Sequence, residues 1–140
     1  MKVQEIASYA SDLPENDDHP YRSGAWRPQH TEYDAWDLDV VGEIPDDLTG
    51  TYLRNTETAV FRPIKRYHPF EGDAMLHSIT FGGGEARYAN RFVKTDGFLA
   101  EQRAGRSLWA GITEHPSNAI AEHGWGARGM LKDAASTDVI

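Results

Sequence analysis

No cysteine occurs in the 140 residues, which excludes a disulfide framework, a thiolate metal site and a cysteine nucleophile. Nothing therefore points to an oxidising compartment, and a cytoplasmic protein is the expectation. Basic residues are scarce: 14 Lys and Arg stand against 22 Asp and Glu, a net charge of −8. A nucleic-acid partner is excluded on that ground, because phosphate binding needs clustered cations. Long apolar runs are also missing, and no stretch approaches the roughly 20 residues of a membrane span. Met1 to Asn16 carries a single Lys and no apolar run of the secretory kind.

What is present is core material. Hydrophobic residues make up 39% of the chain, with five Phe, six Tyr and four Trp, a globular balance and not that of a disordered chain. Its ordering reads as β. Residues 1–35, with Pro14, Pro20, Pro28 and the acidic Glu15, Asp17 and Asp18, suit an irregular N-terminal arm. Alternation of Trp36, Leu38 and Val40 with Asp37 and Asp39 predicts a strand over 36–40, and Thr51–Arg54 a second. Two strand-like runs, Met75–Phe81 and Glu85–Val93, flank Gly82, Gly83 and Gly84. That predicts a hairpin, its return strand ending near Thr95 to Gly97. Beyond Phe98 a long loop is expected, with at most a short helix near Asn118 to His123. Asp133–Ile140 reads as the start of a further strand. Short strands without a long amphipathic helix define an all-β chain of antiparallel hairpins.

Residue chemistry alone gives no catalytic site. His68 and His77 flank Glu71 and Asp73, yet the run lacks the spacing of a compact metal motif. His19, His30, His115 and His123 sit among Pro, Gly and polar residues and read as loop histidines. Gly82–Gly84 neither precedes a Lys-Ser/Thr pair nor opens a helix, so it is a turn and not a phosphate cradle. Ser107, Ser117 and Ser136 have no nucleophile-elbow context.

Three segments in order carry a resemblance. Val41–Asn55 is similar to V-x-G-x-I-P-x-x-L-x-G-x-Y-L-R-N, Tyr67–His77 to Y-H-x-F-D-G-D-G-M-L-H, and Tyr88–Thr95 to Y-x-N-R-F-V-x-T. Together they resemble the start of the carotenoid cleavage oxygenases, which include stilbene-cleaving dioxygenases. Residue 71 is Glu where the motif has Asp, residue 74 is Ala where it has Gly, and Thr56–Ala59 stand where Gly-Pro-Asn-Pro is expected.

The resemblance implies the N-terminal part of a seven-bladed β-propeller, with 36–140 the first part of an incomplete oxygenase domain. It implies Fe(II) held by four histidines, none of which matches a histidine here, so no catalytic residue and no metal ligand is assigned in this chain. The implied partners are an apolar polyene and O2. Membrane contact would come through regions beyond these residues, and the 140-residue fragment alone would be inactive. Two positions match substrate-lining residues: Phe70, an aromatic wall, and Ile112, where stilbene-cleaving members have a phenol-binding tyrosine. Isoleucine there favours a carotenoid or apocarotenoid. Gly72 is expected to permit a tight turn, Asp73 to accept backbone donors in it, and Arg54 and Asn55 to tie neighbouring strands. The alternative from another class is a non-catalytic β module that binds an apolar ligand or a partner strand.

Overall fold

The structure, a computed structural model, describes residues 1–120, 132–137 and 139. Five strands form one antiparallel sheet: β1 (Lys2–Ser8), β2 (Thr31–Trp36), β3 (Gly50–Thr58), β4 (Asp73–Gly82) and β5 (Glu85–Phe92). Their order across the sheet is β1-β2-β5-β4-β3. One helix, α1 (Asp96–Ala104), follows β5.

The β4–β5 hairpin forms as the glycine run predicts. Gly83 and Gly84 have φ of 59° and 73°, the paired positive values of a two-residue turn whose twist matches the strands. The return strand ends at Phe92, short of the expected Thr95. β3 is longer than the Thr51–Arg54 core read from sequence and runs in register with β4 from Gly50↔Phe81 to Thr58↔Asp73. The departure at Thr56–Ala59 accounts for part of that length, since prolines there would remove ladder donors.

Three expectations are corrected. The first 35 residues are not an irregular arm throughout: β1 and most of β2 lie in them, paired antiparallel with a bulge between Glu5 and Ala7. The strand expected at 36–40 lies earlier, because Asp37 takes a φ of 51° and ends β2 at Trp36. The long loop expected after Phe98 begins with α1. Thr95 caps this helix, its Oγ1 accepting from the Phe98 amide at 3.1 Å. Gly105, at φ 66°, closes it with its amide donating to the Glu101 carbonyl at 2.8 Å.

The described part of 133–140 is irregular, not a strand. It lies against the sheet through backbone and side-chain bonds: the Ala74 amide donates to Ala134 O (3.1 Å), Asn55 Nδ2 to Ala135 O (3.0 Å) and Ser136 Oγ to Glu57 (2.6 Å). Asn55 thus ties β3 to this segment, not to a neighbouring strand. A 3₁₀ turn, Pro116–Asn118, stands at the start of the helix expected near Asn118 to His123. Residues 121–123 of that expectation lie outside the described residues.

Apolar packing gathers at one end of the sheet. Val60, Phe61, Met75, Phe92 and Phe98 form one cluster with Tyr9 against it, and Ala100, Leu108 and Trp109 form a second. β2 and β5 share only two register pairs, Asp34↔Ala89 and Ala35↔Tyr88. Asn90 extends the junction with its side chain: Oδ1 accepts from the Tyr33 amide (2.7 Å) and Nδ2 donates to Thr31 O (2.9 Å). Buried Glu32 adds a further link, accepting from the Phe92 amide at 2.9 Å and from Tyr9 Oη at 3.1 Å. Among the described residues no helix is long and apolar enough to cross a membrane.

Candidate functional site

The chain leaving β3 and the chain leaving α1 come together over the packed end of the sheet and enclose a cavity of about 80 Å³. Val60, Phe61, Trp109 and Ala110 supply apolar wall. Phe70 and Ile112 both line this cavity, although 42 residues of sequence separate them. Both are more than half exposed, at 67% and 51%, so they form its mouth and not its floor.

Two turns set the mouth. Pro69–Glu71 form a 3₁₀ turn capped reciprocally: His68 Nδ1 accepts from the Phe70 amide (3.2 Å) and Glu71 accepts from the His68 amide (3.2 Å). The opposite lip is tied by Glu114, which accepts from the Lys65 and Arg66 amides at 3.0 and 2.8 Å. Burial pushes the Glu114 carboxyl up, but the amides of Arg66 and Lys65, with Asn118, outweigh it and hold the group below its ordinary value. Gly72 does not make a tight turn as expected. Its φ of −68° is open to any residue, and glycine is required because an added Cβ would lie 2.6 Å from the Thr58 amide nitrogen.

The floor is ionic. Lys132 Nζ lies 2.6 Å from Asp73 Oδ1 and 2.6 Å from Glu101 Oε2, with all three side chains at most 12% exposed. Glu101 Oε1 also accepts from the Leu108 amide at 2.8 Å. Burial raises Asp73 above the ordinary carboxyl value despite the adjacent cation. Lys132 is raised in turn: burial opposes its charge, and the two carboxylates overcome that opposition. Asp73 therefore serves as the counterion of a buried lysine and not as a turn acceptor. On the cavity wall the Tyr67 hydroxyl is pushed up to about 12 by burial and by the charge of Glu57. Arg22 lies over its ring at 5.3 Å, itself held by Asp17 at 2.6 Å.

Sequence reasoning missed Lys132, Glu101, Tyr67 and Trp109 as parts of this pocket. Two of these positions carried a signal: Tyr67 opens the second motif and Glu101 closely follows the third. The histidines are engaged elsewhere. His30 Nε2 lies 2.8 Å from Ala59 O, and His68 caps its turn. His77 lies between the Tyr88 hydroxyl (2.7 Å from Nδ1) and the Thr56 hydroxyl (3.1 Å from Nε2). Thr56 already donates its one hydroxyl hydrogen to Met75 O, so Nε2–H donates to Thr56, and in the neutral ring that burial favours Nδ1 accepts from Tyr88. His123 lies outside the described residues. Among the described residues no group of three or more His, Asp or Glu is placed to hold a metal ion.

His77 gives a pH dependence with a definite sign. Burial, then the charge of Arg54, lowers its pKa below the ordinary 6.5. As pH falls through 6.5 the unfolded chain takes up the proton first, so stability is lost from there down to the folded pKa and levels off below it. Denaturant midpoints measured between pH 8 and pH 5 should show this decline, and His77→Gln should flatten it. An equal slope in the variant would assign the decline to another group.

An antiparallel sheet with a small, ion-floored apolar pocket at one end defines the chain as part of a β-type domain. Its family is explicit: the retinal pigment epithelial membrane protein family matches residues 26–140, and the chain belongs to it. The apocarotenoid-15,15'-oxygenase of Synechocystis is 40% identical over 91 residues, covering 62% of this chain and 18% of that protein. The isoeugenol monooxygenase of Pseudomonas nitroreducens is 33% identical over 126 residues, 89% of this chain and 25% of that protein. The crystal structure of the Pseudomonas brassicacearum lignostilbene dioxygenase superposes with a TM-score of 0.68 at 29% identity, over 76% of this chain and 23% of that one. The chain therefore spans about a quarter or less of these relatives.

Proposed function

We propose that these residues are the opening part of a non-heme Fe(II) dioxygenase that cleaves a conjugated C=C bond of a carotenoid or apocarotenoid, with O2, into two carbonyl products. The five-stranded sheet would begin a seven-bladed propeller, with residues 36–140 the first part of that domain and the iron ligands elsewhere. The observation that carries the reading is the match over residues 26–140 combined with one apolar mouth flanked by Phe70 and Ile112. Iron would supply the activation of O2. Among the described residues none forms a ligand set for it, and residues 1–140 alone would not turn over substrate.

The role of this chain is to bind and orient. Phe70 offers an aromatic face to a flat conjugated ligand and Ile112 an aliphatic one, which together favour a polyene over a phenol. The lysine floor is held between two carboxylates beneath the apolar wall. The names of the relatives span apocarotenoid, isoeugenol and lignostilbene substrates, each with an alkene in conjugation, and residue 112 would select among them.

Incubation of the complete iron-loaded protein with an apocarotenal and with a 4-hydroxystilbene tests this. Cleavage of the apocarotenal is the expected result. Ile112→Tyr should raise kcat/KM for the hydroxystilbene about threefold to tenfold, the effect of one neutral hydrogen bond of ~0.5–1.5 kcal/mol. Binding of the apocarotenal without cleavage of either compound would favour the non-catalytic module. That second reading has an observation of its own: β3 and β1 are sheet edges with one neighbour each, and they expose Tyr52, Leu53, Val3 and Ile6.

A further inference from the structure

We infer that Glu71 is a positioning residue that sets the width of the pocket mouth, one carboxylate holding both rim side chains, with Gly111 as its obligatory partner. The inference rests on assigning the pocket to substrate. Glu71 Oε2 accepts from the His68 amide at 3.2 Å, which fixes the turn that presents Phe70. Its Oε1 accepts from the Ile112 amide at 2.5 Å, which fixes the opposite rim. Charge-assisted bonds of this kind are stronger than neutral ones, so both rim segments are held to one carboxylate. The further ties between these two stretches, from Glu114 to the Lys65 and Arg66 amides and from Lys65 Nζ to Asn118, act several residues away from Phe70.

Gly111 is matched to this carboxylate. A Cβ at 111 would lie 2.6 Å from Glu71 Oε1, 2.7 Å from Oε2 and 2.9 Å from Cδ, distances at which the carboxylate must leave or the loop must lift. The requirement is for space, since Gly111 has no positive φ. Aspartate at 71 would withdraw the carboxylate by about one C–C bond, ~1.5 Å. It would lose the Ile112 bond and free the space in front of 111. The Glu at 71 and the Gly at 111 thus form one device: a longer acid that reaches across the mouth and a residue small enough to let it.

The test uses the complete protein with an apocarotenal as probe. In Glu71→Ala the Ile112 amide should exchange with solvent more than about tenfold faster, and KM should rise about fivefold with kcat within about twofold. Gly111→Ala should raise KM similarly in the Glu71 background and cost little further in Glu71→Asp, a non-additivity diagnostic of contact. Three results would each overturn the inference: unchanged Ile112 exchange in Glu71→Ala, a fall in kcat matching the fall in melting temperature, or an equal cost of Gly111→Ala in both backgrounds. Should the wild-type protein cleave no alkene, the proposed function fails on its own. The exchange rates and the apocarotenal Kd, read from tryptophan quenching, still decide the role of Glu71.

Discussion

Replacing Lys132 with methionine should cost about 3–5 kcal/mol of stability at pH 7, the usual penalty for removing one partner from a buried ion cluster. Asp73 and Glu101 would then face each other with side-chain exposures of 5% and 6% and no cation between them. Glu101 keeps the Leu108 amide, so the uncompensated charge falls mainly on Asp73. That carboxyl is already raised by burial with the lysine present, and losing the lysine raises it further. A group whose folded pKa exceeds its unfolded value weakens folding as pH rises through the interval between them. The penalty of Lys132→Met should therefore be smaller at pH 4 than at pH 7. Denaturant titrations of wild type and variant at the two pH values check both points, and a pH-independent penalty would assign the loss to the lysine's packing. A triple replacement of Lys132, Asp73 and Glu101 by apolar residues should cost less than the single change, because desolvation of three charges is removed together.

This cluster also marks where sequence reading stops. Asp73, Glu101 and Lys132 are 28 and 31 residues apart in sequence, and no local pattern announces that they meet. By contrast the β4–β5 hairpin was legible, because two adjacent positive φ angles demand glycine and the flanking runs alternate. Phe70 and Ile112 were singled out by resemblance, and folding brings them to one cavity. β1 went unread although polar and apolar residues alternate loosely there, because nearly all its side chains are exposed and it buries no apolar face. Its pairing with β2 bridges an intervening segment rich in proline, a non-local contact with no local signal. The alternation at 36–40 misled for a definite reason. Asp37 sits in the left-handed region beside the Lys2 ammonium at 2.6 Å, and a single such residue ends a strand whatever the pattern around it. Helix α1 has nine residues with glycine second, and helices that short take their stability from packing more than from propensity.

That dependence on packing makes Phe98→Ala the second large effect, at about 3–5 kcal/mol. Phe98 is 1% exposed and is the helix's main apolar anchor in the first core cluster. Its ring stacks on Phe92 at 4.8 Å and meets Tyr9 edge-on at 5.1 Å, while Tyr9 meets Phe92 at 5.1 Å. Each favourable aromatic pair adds about 0.5–1.5 kcal/mol beyond area burial, and alanine forfeits two of the three. The consequence reaches the pocket. Glu101 stands one helical turn beyond Phe98, and Leu108, Trp109 and Ala110 follow the Gly105 cap, so freeing the helix frees one floor carboxylate and much of one wall. Phe98→Leu should recover more than half of the loss by refilling volume without the ring contacts. Paired measurements of denaturant midpoint and apocarotenal Kd on the complete protein check this. Phe98→Ala should lower both stability and affinity, with Phe98→Leu between it and wild type in each. A variant that loses stability while binding the polyene unchanged would show that the pocket wall does not depend on the seating of α1.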